Sequence, residues 1–104
     1  MSCSRNDVVL LPIPFTDLTS RKVRPAIVIG RSGTDLFLVP ISPQLSNTDF
    51  ALKDWRAAGL NVPCGVKSQI ATVEEKLVIK IVGILTATDQ QLLDERLRKW
   101  LQQP

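Results

Sequence analysis

The chain contains no histidine and no tyrosine. Histidine is the commonest general base and metal ligand, so its absence rules out Ser-His-Asp hydrolases, Cys-His proteases and two-histidine ribonucleases together. The missing tyrosine removes a further proton donor. Cysteine is scarce: Cys3 and Cys64 lie far apart, form neither a CxxC pair nor a zinc spacing, and read as two reduced thiols. Long apolar runs are missing too. None approaches the roughly 18–20 residues that cross a bilayer. The run from Val8 is broken by Pro12 and Pro14, which leaves no signal-peptide core. The expectation is a cytoplasmic protein with no membrane association, no metal and no cofactor.

What remains is one domain, residues 1–104, with 44% apolar residues, ordinary for a folded protein. A chain this short buries about two-thirds of its unfolded surface, so the core is modest. Thirteen basic residues against ten acidic give a net charge of +3, too mild to name a partner alone. The local distribution says more. Arg21, Lys22 and Arg24 fall within four positions, and no acid stands between Asp17 and Asp35. That loop suits a phosphate-bearing partner, or is simply solvated.

The stretch from Val8 to Ser42 organises the chain. Val8–Leu11 predicts a strand, the residues to Val23 a basic loop, and Arg24-Pro25 opens a second strand over Ala26–Ile29. A turn at Arg31–Asp35 leads to a third over Leu36–Val39. These runs are apolar on both faces, which predicts cover on both sides. One helix covers one face. A sheet curled into a small barrel and a second copy of the chain are expected to cover the rest, hence a homodimer. Further on, Phe50–Leu52 predicts a short strand, Asp54–Ala58 a helical turn closed by Gly59, and Trp55 a core contact or a stacking platform. Gly65–Val73 predicts one or two bent strands. In Leu77–Leu85, Gly83 marks a bulge or a close backbone approach.

The period then changes. Thr88-Asp89-Gln90-Gln91 has the spacing of a capping box. Leu93, Leu97, Trp100 and Leu101 follow at helical intervals on one face. Acids (Asp89, Asp94, Glu95) precede bases (Arg96, Arg98, Lys99), in the sense the helix dipole favours.

Several segments together carry a resemblance. They are Val8–Pro12 with Pro14–Leu18, Arg24-Pro25-Ala26-Ile27-Val28-Ile29, Val39-Pro40-Ile41-Ser42-Pro43-Gln44, Ala58-Gly59-Leu60, Ser68-Gln69-Ile70-Ala71-Thr72 and Val82–Leu85. In this order the chain resembles the MazF/PemK toxins of type II toxin–antitoxin systems. The resemblance implies a mainly β fold, an SH3-like small barrel with a C-terminal helix, arranged as a homodimer. It implies a metal-independent endoribonuclease acting on single-stranded RNA, inhibited by a cognate antitoxin. The family's catalytic arginine falls on Arg24, and its catalytic threonine on Ser42, which keeps the hydroxyl and loses a methyl. Gln69-Ile70-Ala71-Thr72 stands where many members read Gln-Ile-Arg-Thr.

RNA is cut without metal or histidine when its own 2′-OH attacks the neighbouring phosphorus. Arg24 suits charge stabilisation, because its planar fork matches two phosphate oxygens, and Ser42 can donate a hydrogen bond to the same group. Around them Arg21 and Lys22 are expected on backbone phosphates, and Phe15 on a base or in the core. Ser20, Gln44, Lys67 and Gln69 are expected on bases or sugars. Two other readings use the same fold. One is a non-enzymatic inhibitor acting through protein contacts near Trp100 and Leu101; the other is a relative that binds RNA without cutting it.

Overall fold

The computed structural model describes residues 2–12 and 22–102. Among these residues seven strands and one α-helix follow in order: β1 (Asp7–Pro12), β2 (Val23–Ser32), β3 (Asp35–Ser42), β4 (Phe50–Ala51), β5 (Gly65–Val66), β6 (Ala71–Glu74), β7 (Lys80–Ile84) and α1 (Ala87–Gln102). The sheet is antiparallel throughout, in the order β4-β5-β3-β2-β1-β7, with β6 also pairing with β3. β3 therefore shares its second edge between two partners, β6 along Asp35–Leu38 and β5 at Ile41 and Ser42.

β2 and β3 run longer than their apolar cores because a two-residue loop joins them, Ser32 pairing with Asp35. Gly33 takes φ +61 while Thr34 stays in the ordinary half of the map. That is the type II′ hairpin, whose first loop position glycine fills without strain.

Alternation along the strands builds two cores. Val8, Ile27, Val39 and Ile41 face one way and pack with Leu93 and Leu97 of α1, the Phe50–Leu60 segment and Leu85. Val9, Leu11, Ala26, Val28, Leu36 and Leu38 face the other way and are closed over by Cys3 and Val78, with Val73 and Ile81 at the margin. The second face is thus buried within one chain, with Val9, Leu11, Ala26, Leu36 and Leu38 all at 0% exposure. The two-sided apolar strands accordingly need no second copy of the chain to cover them. Curling of the sheet does it, because β6, β7 and the amino-terminal segment fold back over β2 and β3.

The helix begins at Ala87, and its cap stands two residues before the predicted one. Thr86 is the capping residue: its Oγ1 accepts from the Asp89 N–H at 3.5 Å and donates to Asp54 Oδ2 at 2.8 Å. Asp89, fully buried, accepts the backbone N–H groups of Lys53 and Asp54 at 3.0 and 2.9 Å. These bonds clamp the 53–60 turn to the start of α1. A sixteen-residue helix is marginal alone; burial of Leu93 and Leu97, about 1.5–3 kcal/mol each, holds it to the sheet. Leu101, predicted on the same face, is 73% exposed, since the helix runs past the edge of the first core.

Gly59 and Gly83 serve one contact. Gly59, at φ +94, closes the turn with its N–H on Arg56 O, and a Cβ there would sit 2.2 Å from Val82 O. A Cβ on Gly83 would sit 2.2 Å from Ala58 O. Gly83 also follows an irregularity in the register, since Val8 pairs with Gly83 but Val9 with Ile81.

Candidate active site

The site forms where β2 begins and β3 ends. Ala26 pairs with Pro40, and continuing that register two residues brings Arg24 opposite Ser42. Both lie on the face of the second core, beyond its last apolar residues Leu11, Ala26 and Leu38. By that extension an exposed guanidinium and a half-buried hydroxyl belong to the same end of the sheet, on the side of that core. No hydrogen bond or ion pair ties down the Arg24 side chain among the described residues.

Ser42 is oriented from behind. The Gln44 backbone N–H donates to Ser42 Oγ at 3.1 Å, so one lone pair is occupied and the hydroxyl proton is left to donate outward. Gln44 Oε1 accepts from Asn47 Nδ2 at 3.0 Å, which turns the Gln44 amide N–H groups away, toward solvent. Lys67 approaches from β5: its backbone N–H bonds to Pro40 O at 3.0 Å. Val66 packs in the first core opposite Ile41, so alternation puts Lys67 on the Ser42 side. Lys22 is exposed just before β2. Gln69 is exposed in the connection from β5 to β6, and no strand register ties it to Arg24 or Ser42. Phe15, Ser20 and Arg21 lie outside the described residues.

Behind the pair, on the other face, lies a cavity of about 250 Å³ lined by Leu10, Pro25, Pro43, Leu60, Asn61 and Val62, among others. Its two prolines are the chain neighbours of Arg24 and Ser42. Sequence reading missed this feature, because residues 59–64 are brought to it by long-range contacts such as that of Gly59 with Val82.

The strongly perturbed titrations belong elsewhere. At the opposite end of β3, seven residues or roughly 20 Å away, Arg31 grips Glu75 through two nitrogens at 2.9 and 3.0 Å. Glu75 also accepts the Cys3 N–H at 2.8 Å. The guanidinium and that N–H hold the Glu75 carboxyl down at about 2. Burial pushes both thiols up; Cys3 and Cys64 are free, and they sit in different cores. This network ties the amino-terminal segment to the β2–β3 turn and is structural. Among the described residues no group of three or more acidic or thiol side chains forms a metal cluster, and no helix is long and apolar enough to cross a membrane.

At the end of α1, Trp100 packs partly buried against the first core and its indole N–H donates to Asp49 Oδ2 at 3.1 Å. Its ring is therefore engaged, and it lends no support to an inhibitor working through that residue. Trp55 likewise packs partly buried on the first core, with the Arg56 guanidinium 5.0 Å from its ring centre.

A family model described as "PemK-like, MazF-like toxin of type II toxin-antitoxin system" matches residues 4–101. No curated protein sequence matches. Among solved structures, an endoribonuclease in complex with its cognate antitoxin from Mycobacterial species superposes with a TM-score of 0.70 at 14% identity. The match covers 96% of this chain and 93% of that one. At that identity the likeness is one of fold. It agrees with the mainly antiparallel sheet and single C-terminal helix described above.

Proposed function

Since the chain belongs to the PemK-like, MazF-like toxin family of type II toxin–antitoxin systems, we propose that it is the toxin of such a pair and cuts single-stranded RNA without a metal. The observation that supports this reading is the β2–β3 register, which ends with Ala26 opposite Pro40, two residues short of Arg24 on one strand and of Ser42 on the other. In the reaction the ribose 2′-oxygen forms a bond to phosphorus and the bond from phosphorus to the 5′-oxygen breaks. The 2′ proton is lost to a base and the departing 5′-oxygen gains one. The products are a 2′,3′-cyclic phosphate and a 5′-OH.

Arg24 spans two non-bridging oxygens and offsets the charge that builds on the five-coordinate phosphorus. A guanidinium is a donor without a lone pair to offer and keeps its proton, so Arg24 is assigned to charge stabilisation and to a hydrogen bond on the leaving oxygen as water protonates it, not to the base step. Ser42, its oxygen held by the Gln44 N–H, donates to the same phosphate. Lys67 and Lys22 attract the flanking phosphates, and Gln44 offers its amide to a base or sugar. A cytoplasmic setting, a homodimer and an antitoxin partner belong to the same reading. The groove between Ile29, Ile70, Leu97 and Leu101, rimmed by Arg98, supports the dimer, since Ile70 is 46% and Leu101 73% exposed. The expected solution mass is twice that of one chain; a single-chain mass at micromolar concentration would remove the dimer.

The test of the activity is a mixed single-stranded RNA pool incubated with the protein in EDTA, beside the Arg24→Ala variant. Cuts at a recurring short sequence with 5′-OH ends, absent from the variant, are expected. A folded protein that leaves the pool intact would refute the nuclease reading and favour an RNA-binding relative or a protein-directed inhibitor.

A further inference from the structure

We propose that the cavity behind the Arg24–Ser42 pair is a subsite for one nucleobase, and that Asn61 reads the base it admits. The inference rests on the RNA reading above and adds a residue that determines specificity.

Pro25 follows Arg24 and Pro43 follows Ser42, and both rings line the cavity. Neighbouring Cα atoms are about 3.8 Å apart. A nucleotide whose phosphate meets Arg24 therefore needs only to turn its base round the end of β3, where the chain leaves the sheet at Pro43, to enter.

At about 250 Å³ the cavity is smaller than the roughly 300–1,000 Å³ of pockets that hold drug-sized ligands, and it suits a single planar ring. Its walls are Leu10, Leu60, Val62 and the two prolines, flat and apolar enough to take the faces of a base. The polar side chains in the lining are those of Asn61 and Cys64. The Cys64 thiol already donates to Val62 O at 3.2 Å. Asn61 is exposed and makes no side-chain hydrogen bond among the described residues. Its amide offers two donors and an acceptor, the complement of a base edge.

Leu60 donates its N–H to Trp55 O at 3.1 Å, and the neighbouring Gly59 is locked against Val82. Asn61 is thus carried on a segment that does not have to be ordered when RNA arrives.

The experiment selects binders from a random single-stranded 2′-fluoro RNA pool, which lacks the attacking hydroxyl and cannot be cut. Wild type, Asn61→Ala and Val62→Phe are compared, with thermal melts to establish that each is folded. Wild type should enrich one base on the order of tenfold or more at one position. Asn61→Ala should flatten that position and leave the others; Val62→Phe, which fills the cavity, should lose it too. An unchanged preference in both variants, or no RNA bound by the wild type, would overturn the subsite. Base preference that depends on Asn61, in a protein that leaves natural RNA intact, would keep the subsite and sink the cleavage reading. Natural cleavage at the same motif with and without Asn61 would do the reverse.

Discussion

Three glycines separate two kinds of backbone demand, and their alanine variants should rank accordingly. Gly33 has φ +61 with nothing within 4 Å of where a Cβ would stand. Gly33→Ala therefore carries only the left-handed backbone term, about 1 kcal/mol. Gly83 has an ordinary φ, but its Cβ would meet Ala58 O at 2.2 Å and Gly59 N at 3.1 Å. The two segments would have to part by about 1 Å, and overpacking of backbone on backbone costs about 2–3 kcal/mol. Gly59 combines both, φ +94 and 2.2 Å to Val82 O, for about 3–5 kcal/mol. In a domain near this size each kcal/mol lowers Tm by about 4–8 °C. Thermal melts followed by circular dichroism should therefore place Gly33→Ala about 5 °C below wild type, Gly83→Ala clearly lower and Gly59→Ala lowest. The reasoning fails if Gly83→Ala melts as high as Gly33→Ala, because the 58–60 turn would then not be pressed against β7. The same contact shapes the cavity beside Asn61, so Gly83→Ala is also expected to disturb RNA base preference.

Three further outcomes are expected. Arg24→Lys, which keeps the charge and loses the fork, should slow cleavage by about 100-fold or more, while Ser42→Thr stays within a few-fold of wild type in the same RNA assay. Glu75 is held at about 2 against an ordinary 4.5 by Arg31 and the Cys3 N–H. A carboxyl depressed in the folded state stabilises above its unfolded value, and that contribution fades as pH falls toward the folded one. The Tm gap between wild type and Glu75→Gln should thus be full above pH 4.5 and close as the pH approaches about 2; a gap independent of pH would contradict the ion pair. Asp89→Ala leaves the Lys53 and Asp54 N–H groups without their acceptor. It should cost about 2–4 kcal/mol in urea unfolding, with Asp89→Asn losing less.

Legibility followed the range of the cause. The strand runs of β1, β2 and β3 and the helix from its 3.6-residue period were readable, because alternation and amphipathicity are local patterns. So were the closing role of Gly59 and the close approach at Gly83. The helix cap was misplaced at Thr88 because the deciding bond, Thr86 to Asp54, spans 32 residues. Asp89 looked like a dipole-compensating acid on a helix surface, yet it is fully buried as the acceptor for a distant turn. Leu101 obeyed the helical spacing but fell beyond the edge of the sheet.

The candidate site divides along the same line. The residues of the Arg-Pro doublet and of Ile41-Ser42-Pro43-Gln44, together with the family they resemble, were readable from order alone. Whether Arg24 can reach Ser42 depends on the β2–β3 register, the orientation of Ser42 on the Gln44 N–H in the turn beyond β3, and the approach of Lys67 on its position just after β5. The cover of the second apolar face was also beyond sequence. Alternation demanded that something bury Val9, Leu11 and Leu38, and only the curl of the sheet decided that Cys3 and Val78 of the same chain do it. Local periodicity determines which residues must be buried and which chemistry is present; the long-range pairing of strands determines what buries them and which side chains meet.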